Sequence, residues 1–392
     1  MSEAAQSNET VEALRDELVE WRQDFHRHPE LAFEEVRTSK IVAEKLESFG
    51  LEVERGLAST GVVGTLRLGS SPRTIGLRAD MDALPIVEAN DFGHRSVNEG
   101  KMHACGHDGH TAMLLGAAKY LARSQRFDGT IQFFFQPAEE NEGGARVMIE
   151  EGLFERFPVD EVYGLHNMPK LPMGSFAVRQ GPIMAAFDTF EAVITGRGTH
   201  AAMPHTGIDP VPIAAQAVQA FQTVVSRNVD PLEGAVISVT QMTAGETFNV
   251  IPDSVTLRGC TRSLEPAVQD LIEAAMERVL AGISAAHDAS HELVYKRGYP
   301  ATINSHQETA HAIAAARAVA GDDNVVVDTP PLMGSEDFAF MLQKRPGCYL
   351  FIGNGDGEGS CMVHNAGYDF NDEILTQGVR YWVELAEERL AP

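Results

Sequence analysis

Ile131-Gln132-Phe133-Phe134-Phe135-Gln136-Pro137-Ala138-Glu139-Glu140 is the stretch that decides how this chain folds. A continuous apolar run that stops at a proline reads as a strand buried on both faces. The end of such a strand is where open α/β sheets place their ligands. Two adjacent glutamates there are costly unless a cation or a substrate uses them. Neighbouring side chains on an extended segment diverge, so Glu139 and Glu140 have different tasks. One can face a metal while the other faces a water or a substrate. The alternative is a solvated loop carrying two ordinary charges.

Upstream of this strand, residues 10–49 read as two amphipathic helices interrupted near His28-Pro29. Strands follow at 61–66 and 74–78, then a helix over 109–123. Downstream, a short helix leads to a strand at 161–165 that stops before His166. This alternation predicts an α/β fold with a mostly parallel, helix-covered sheet. The pattern then changes. Strands at 187–197, 235–243, 253–261 and 291–296, with helices over 209–228 and 265–286, suit a small α+β sheet of ferredoxin-like type, its helices on one face. After about residue 300 the chain returns to helix, strand, helix. Residues 186–297 are therefore expected to be an inserted domain, with 1–185 and 298–392 building one larger domain around it.

A chain of 392 residues can bury two real cores. Its net charge of -25 argues against a nucleic-acid partner and against an anionic membrane surface. Met1 to Thr10 is polar and acidic, without the basic and apolar regions of an export signal. No stretch is long and apolar enough to span a bilayer. Four cysteines (Cys105, Cys260, Cys348, Cys361) in a chain this long make no disulfide scaffold and fit a reducing, cytoplasmic setting.

A second dense cluster runs Met102-His103-Ala104-Cys105-Gly106-His107-Asp108-Gly109-His110. A period of two would put His103, Cys105 and His107 on one side of an extended segment. Thiolate, imidazole and carboxylate together are ligands for borderline-soft divalent metals. Asp80 and Asp82 follow a strand, His166 follows another, and His364 lies in Ser360-Cys361-Met362-Val363-His364-Asn365. Any one of these reads equally well as a satisfied structural residue. Donors from several strand ends are what a metal-hydrolase site needs, and there are more than one tetrahedral ion requires. Two ions account for them. Histidines outside these motifs, His26 and His94 among them, receive no role. Cys260, Cys348 and Cys361 read as buried or incidental thiols.

In these motifs the chain resembles the metallo-aminoacylases, a family that includes bacterial hippurate hydrolases and plant hydrolases of auxin conjugates. The resemblance covers nearly the whole chain. It rests on Arg78-Ala79-Asp80-Met81-Asp82-Ala83-Leu84-Pro85, on Met102 to Thr111, on Phe135 to Glu140, and on Leu165-His166-Asn167. Gly198 to His205, Asn249-Val250-Ile251-Pro252-Asp253 and Gly334-Ser335-Glu336-Asp337-Phe338 add to it.

The resemblance implies a two-metal amidohydrolase acting on N-acyl-amino acids. Cys105, His107, Glu140, His166 and His364 become the metal ligands, and Glu139 the general base. The ions would be Mn²⁺ or Zn²⁺, with Co²⁺ or Ni²⁺ as alternatives. Asp82 matches an aspartate that orients a metal-binding histidine two residues earlier in the wider superfamily. Asp80 stands at that earlier position here, and its role stays open between supporting residue and weak ligand. The resemblance also implies that the larger domain is the catalytic one and the insert a lid that pairs subunits into a homodimer. His200 would reach the neighbouring subunit's site and steady the oxyanion, while Asn249 and Arg262 would hold the substrate carboxylate. A deacetylase for an intermediate such as N-acetyl-diaminopimelate, a dipeptidase or carboxypeptidase, and a non-catalytic binding protein are the alternatives.

Overall fold

The computed structural model describes residues 10–357 and 361–392. Most of the acidic N-terminal stretch, and Ser360, lie outside the described residues. The chain divides into two compact units. The larger takes in the described residues up to Gly181, those of Ile303–Pro330 and those of Phe340–Pro392. The smaller is made of Pro182–Thr302 and Pro331–Ala339.

The larger unit carries an eight-stranded sheet. Its order is Glu52–Leu57, Gly61–Leu68, Gly129–Gln136, Thr74–Asp80, Glu161–Pro169, Gly347–Gly355, Phe176–Val178, Val325–Val327. Four of its seven pairings are parallel, including all three that join the central strands, so the sheet is mixed and mostly parallel. The strand Glu52–Leu57 has no apolar alternation and escaped the sequence pattern. It is an edge strand with an exposed face, held by its neighbour.

Gly129–Gln136 is buried along its whole length, as the apolar run requires. Ile131, Phe133 and Phe135 join the core that also holds Met113, Leu114 and Leu121 of the helix His107–Ser124. Phe134 points the other way and meets Phe154 edge to face, with ring centroids 6.2 Å apart. Both faces are thus covered, which is why the strand does not alternate. The strand expected to end at Leu165 continues to Pro169. His166 therefore lies inside it, paired in register with Phe351, because the neighbouring strand Gly347–Gly355 extends the ladder.

The smaller unit has a four-stranded antiparallel sheet in the order Ala235–Ala244, Ser254–Ser263, Ala186–Thr195, Ser290–Tyr299. The helices Pro210–Asn228 and Pro266–Ala286 cover one face. Alternate residues of Ala186–Thr195 (Phe190, Ala192 and Ile194 among the buried ones) explain the single covered face. The connectivity and strand order are ferredoxin-like. Among the described residues no helix is long and apolar enough to cross a membrane.

The first long helix, Arg15–Arg27, turns a charged face inward. Arg22 meets Asp372 at 2.6 Å and Asp369 at 2.8 Å, while His26 meets Asp108 at 2.9 Å and Glu88 at 3.1 Å. The network ties this helix to the first turn of His107–Ser124. Burial alone would lower the His26 pKa, but the hydrogen bonds to Asp108 and Glu88 outweigh it and raise it to about 9 from an ordinary 6.5. A folded value above the unfolded one stabilises fully below about pH 6.5 and is lost as pH rises through about 9. Thermal unfolding followed from about pH 7 to about pH 10 should show a loss on the order of 3 kcal/mol from this group. His26→Gln should lack most of that slope, and equal slopes in the two proteins would refute the assignment.

Candidate metal centre

Three central strands run parallel and side by side: Gly129–Gln136, Thr74–Asp80 and Glu161–Pro169. Asp80 pairs in register with Gln136, and Arg78 with Gly164. Their carboxyl ends therefore deliver Asp80 and Asp82, Glu139 and Glu140, and His166 to one edge of the sheet. The helix His107–Ser124 begins beside them from Gly106, whose φ of 95° is left-handed. A Cβ at Gly106 would lie 2.1 Å from the Asn167 side chain, so only glycine fits there.

The donor atoms fall into overlapping sets. Cys105, His107 and His166 form one, Cys105, Glu140 and His364 a second, and His107, Glu139 and Glu140 a third. Within each set the donor atoms lie within 4.8 Å of one another. Cys105 Sγ is 3.3 Å from His166 Nε2, and His364 Nε2 is 3.1 Å from Glu140 Oε1. All five sequence-expected ligands are thus brought together, with Glu139 among them. Cys105, His107, Glu139 and His166 are buried, whereas His364 is half exposed.

The two buried imidazoles are oriented alike. His107 Nδ1 donates to the Asp82 carbonyl at 2.9 Å, and His166 Nδ1 to the Asn167 carbonyl at 2.6 Å. Each Nε2 lone pair is left facing the cluster, as it is in histidines that ligate metals. His107 Nε2 is buried and lacks a hydrogen-bond partner among the described residues, and the buried Glu140 Oε1 faces His364. Burial, then the carboxylates of Glu140, Glu139 and Asp80, push the Cys105 thiol well above its usual range. Burial would lower His107, but Asp80, Asp82 and Glu140 raise it to about 10. So much negative charge in a dry space calls for a cation, which would ionise the thiol and neutralise the imidazole. Unsatisfied donor atoms, lone-pair direction and charge all fit divalent metal.

Asp82 supports this cluster from behind. Its Oδ2 accepts the Glu140 backbone N–H at 2.9 Å, and its Oδ1 lies 3.3 Å from His107 Nδ1. With aspartate at position 80, Asp82 steadies His107 and Glu140 in place of an earlier histidine. Asp80 itself is fully engaged. Its Oδ1 meets His110 Nδ1 at 2.6 Å and its Oδ2 meets Arg78 Nη1 at 2.7 Å. Asp80, His107 and His110 do lie within ligand distance of one another, but the Arg78 cation already occupies the second carboxylate oxygen.

Two readings from sequence change here. His103 does not join Cys105 and His107. The segment is not a regular strand, and His103 turns towards His26, with ring centroids 6.4 Å apart. His110, part of the same motif but given no task, takes the inner place. It stands one helical turn after His107, and that i, i+3 spacing was the available signal.

In the smaller unit, His200 and Asn249 are neighbours: Val250 pairs with His200, and Ala201 N donates to the Asn249 carbonyl at 3.0 Å. Arg262 is held elsewhere in that unit. It stacks over Phe187 at 4.2 Å and donates to the Met333 carbonyl at 3.2 Å.

The profile of peptidase family M20/M25/M40 matches residues 76–388, most of the chain. The hippurate hydrolase of Campylobacter jejuni is 42% identical over 373 residues, covering 95% of this chain and 96% of the relative. The chain belongs to peptidase family M20/M25/M40. Its relatives put it in the amidohydrolase branch of that family. Thermostable carboxypeptidase 2 of Saccharolobus solfataricus is 39% identical, with 94% of each chain covered. Among solved structures, a dinuclear metal-binding M20 peptidase from Bacillus subtilis superposes with a TM-score of 0.86 at 34% identity, over 97% of this chain and 99% of the other.

Asp82→Asn should leave the fold intact and weaken divalent-cation binding roughly 10- to 100-fold. Titration calorimetry of the chelator-treated protein with Mn²⁺ or Zn²⁺ would measure this, and an unchanged affinity would remove Asp82 from its supporting role.

Proposed function

We propose that this protein is a metal-dependent amidohydrolase that cleaves N-acyl-amino acids into a carboxylic acid and a free amino acid. The observation that carries the reading is the overlap of two donor sets at Cys105, with Glu139 beside them. Cys105, His107, Glu140, His166 and His364 would hold two divalent ions. Such ions, when bound, acidify a water and polarise the scissile carbonyl.

The chain's own residues do the rest. Glu139, buried at the strand end, takes the proton of the attacking water and passes it to the leaving amine nitrogen. Its neighbour Glu140 is held by Asp82 and is spent on the cation, so the two carboxylates divide between ligand and base. Asp82 keeps His107 and Glu140 in register. His200, Asn249 and Arg262 are proposed to contact substrate, and the planar Arg262 fork suits a carboxylate. The thiolate favours Zn²⁺, while the oxygen donors accept Mn²⁺. Homodimerisation through the smaller unit and a cytoplasmic site of action complete the proposal.

Likeness to the hippurate hydrolase favours aromatic acyl groups, hippurate-like or indoleacetyl-like. A carboxypeptidase activity is the second reading, supported by a relative of nearly equal identity. N-benzoyl, N-acetyl, N-indoleacetyl and long-chain N-acyl amino acids, assayed beside short peptides with the metal controlled, separate the two. Turnover confined to peptides would overturn the first reading. Glu139→Ala should keep its metal and lose at least about 10²-fold in kcat. Exhaustive chelation should abolish activity, and Mn²⁺, Zn²⁺ or Co²⁺ should restore it. Wild-type turnover in either case would sink the mechanism.

A further inference from the structure

Glu35 is a fully buried carboxylate in the larger unit, far from the catalytic motifs in sequence. It occupies the N-cap position of the helix Val36–Ser48 yet does not cap it. Glu30 does that work: its two oxygens accept from Arg37 N at 2.9 Å and Thr38 N at 2.8 Å. Released from capping, Glu35 turns inward. Its Oε1 accepts from the Ala138 backbone N–H at 2.9 Å, and its Oε2 from the Thr60 hydroxyl at 2.5 Å.

Ala138 is the residue before Glu139, and its φ of 55° is left-handed. For a residue with a Cβ that conformation costs roughly 1–2 kcal/mol and persists only when its surroundings enforce it. The enforcement is visible. The Ala138 N–H is held by Glu35, and its carbonyl accepts from Gly144 N at 2.9 Å. Gly144 has no room for a side chain, since a Cβ would stand 1.8 Å from the Pro137 carbonyl. After Glu139, the Glu140 N–H is held by Asp82. The short turn that carries both glutamates is therefore gripped by two carboxylates, one on each side.

Burying Glu35 is expensive. Burial pushes its pKa up to about 7, against the Thr60 hydrogen bond that lowers it. Nothing in the donor sets uses Glu35, and it takes no part in capping its own helix. Its two carboxylate oxygens reach the turn and Thr60.

We propose that Glu35 is a positioning residue for Glu139: its carboxylate clamps the Ala138 peptide in the left-handed conformation that aims Glu139 at the reacting water. The inference rests on the reading of Glu139 as general base. It links the N-terminal helical pair, which carries no catalytic group, to the proton-transfer step.

Glu35→Met keeps the volume and removes the acceptor, Glu35→Gln restores one acceptor oxygen, and Thr60→Val removes the other contact while sparing the clamp. Glu35→Met is expected to lower kcat roughly 10- to 100-fold with KM and metal content within about twofold. Glu35→Gln should recover most of the loss. Thr60→Val should lose thermal stability but keep kcat within about threefold. Hydrogen exchange on the metal-free protein supplies a readout independent of turnover. Exchange across residues 136–144 should quicken in Glu35→Met, stay near wild type in Glu35→Gln, and remain slow in Thr60→Val. Where Glu35→Met does not fold, Glu35→Ala carries the same two measurements. A folded Glu35→Met with wild-type kcat overturns the proposal, as does a kcat loss in Thr60→Val equal to that in Glu35→Met. Unchanged exchange across the turn also overturns it. A fully active Glu139→Ala would instead refute the base assignment, and the exchange arm would still report on the clamp.

Discussion

Parallel hydrogen bonding among three adjacent strands is the constraint on which the site depends. Once Thr74–Asp80 is flanked in parallel by Gly129–Gln136 and Glu161–Pro169, three strand ends open on the same side. Residues far apart in sequence, Asp80 beside Gln136 and Arg78 beside Gly164, are then neighbours without any loop having to search for them. The Phe133-Phe134-Phe135 run holds the flanking strand Gly129–Gln136 in place by filling both faces of the sheet. Hydrophobic burial thus fixes where the charged groups stand.

The second constraint is charge. Asp80, Asp82, Glu139 and Cys105 share a space closed to bulk water, and each would be destabilising alone. The protein answers part of this itself. Arg78 neutralises Asp80, and its Nε is occupied by Gln136 at 2.8 Å. His110 takes the other Asp80 oxygen and reaches Asn167 Oδ1 at 2.7 Å. These pairs leave His107 Nε2 without a partner, and leave His166 Nε2, the Cys105 thiol, His364 and Glu140 facing only one another, so those are the groups that fit a cation. Asp80, by contrast, is held on both carboxylate oxygens and belongs to the supporting layer.

The third is backbone shape. Ala138 and His364 both have left-handed φ without being glycine, and both sit at the cluster. His364 is fixed through its N–H, which donates to the Ala104 carbonyl at 2.7 Å beside Cys105. Strain of this kind survives only where neighbours overdetermine the conformation. Here the neighbours are buried carboxylates and backbone carbonyls, groups that local sequence patterns do not reveal.

By itself the sequence determined the buried strand at Gly129–Gln136, the change of period that marks a ferredoxin-like unit, and the donor chemistry of Cys105, His107, Glu139, Glu140, His166 and His364. These follow from local periodicity and from side-chain chemistry, both of which are carried by neighbouring residues. Only the tertiary structure decided that His110 faces inward while His103 turns away, that Asp80 is spent on Arg78 and His110, and that Asp82 serves His107 and Glu140. It also decided that Glu35 grips the turn before Glu139. The physical reason is the same in each case. Where a strand or helix ends, the direction of a side chain is set by backbone torsions and partners that come from distant segments, and a polar group shows whether it is satisfied only when those partners are in place.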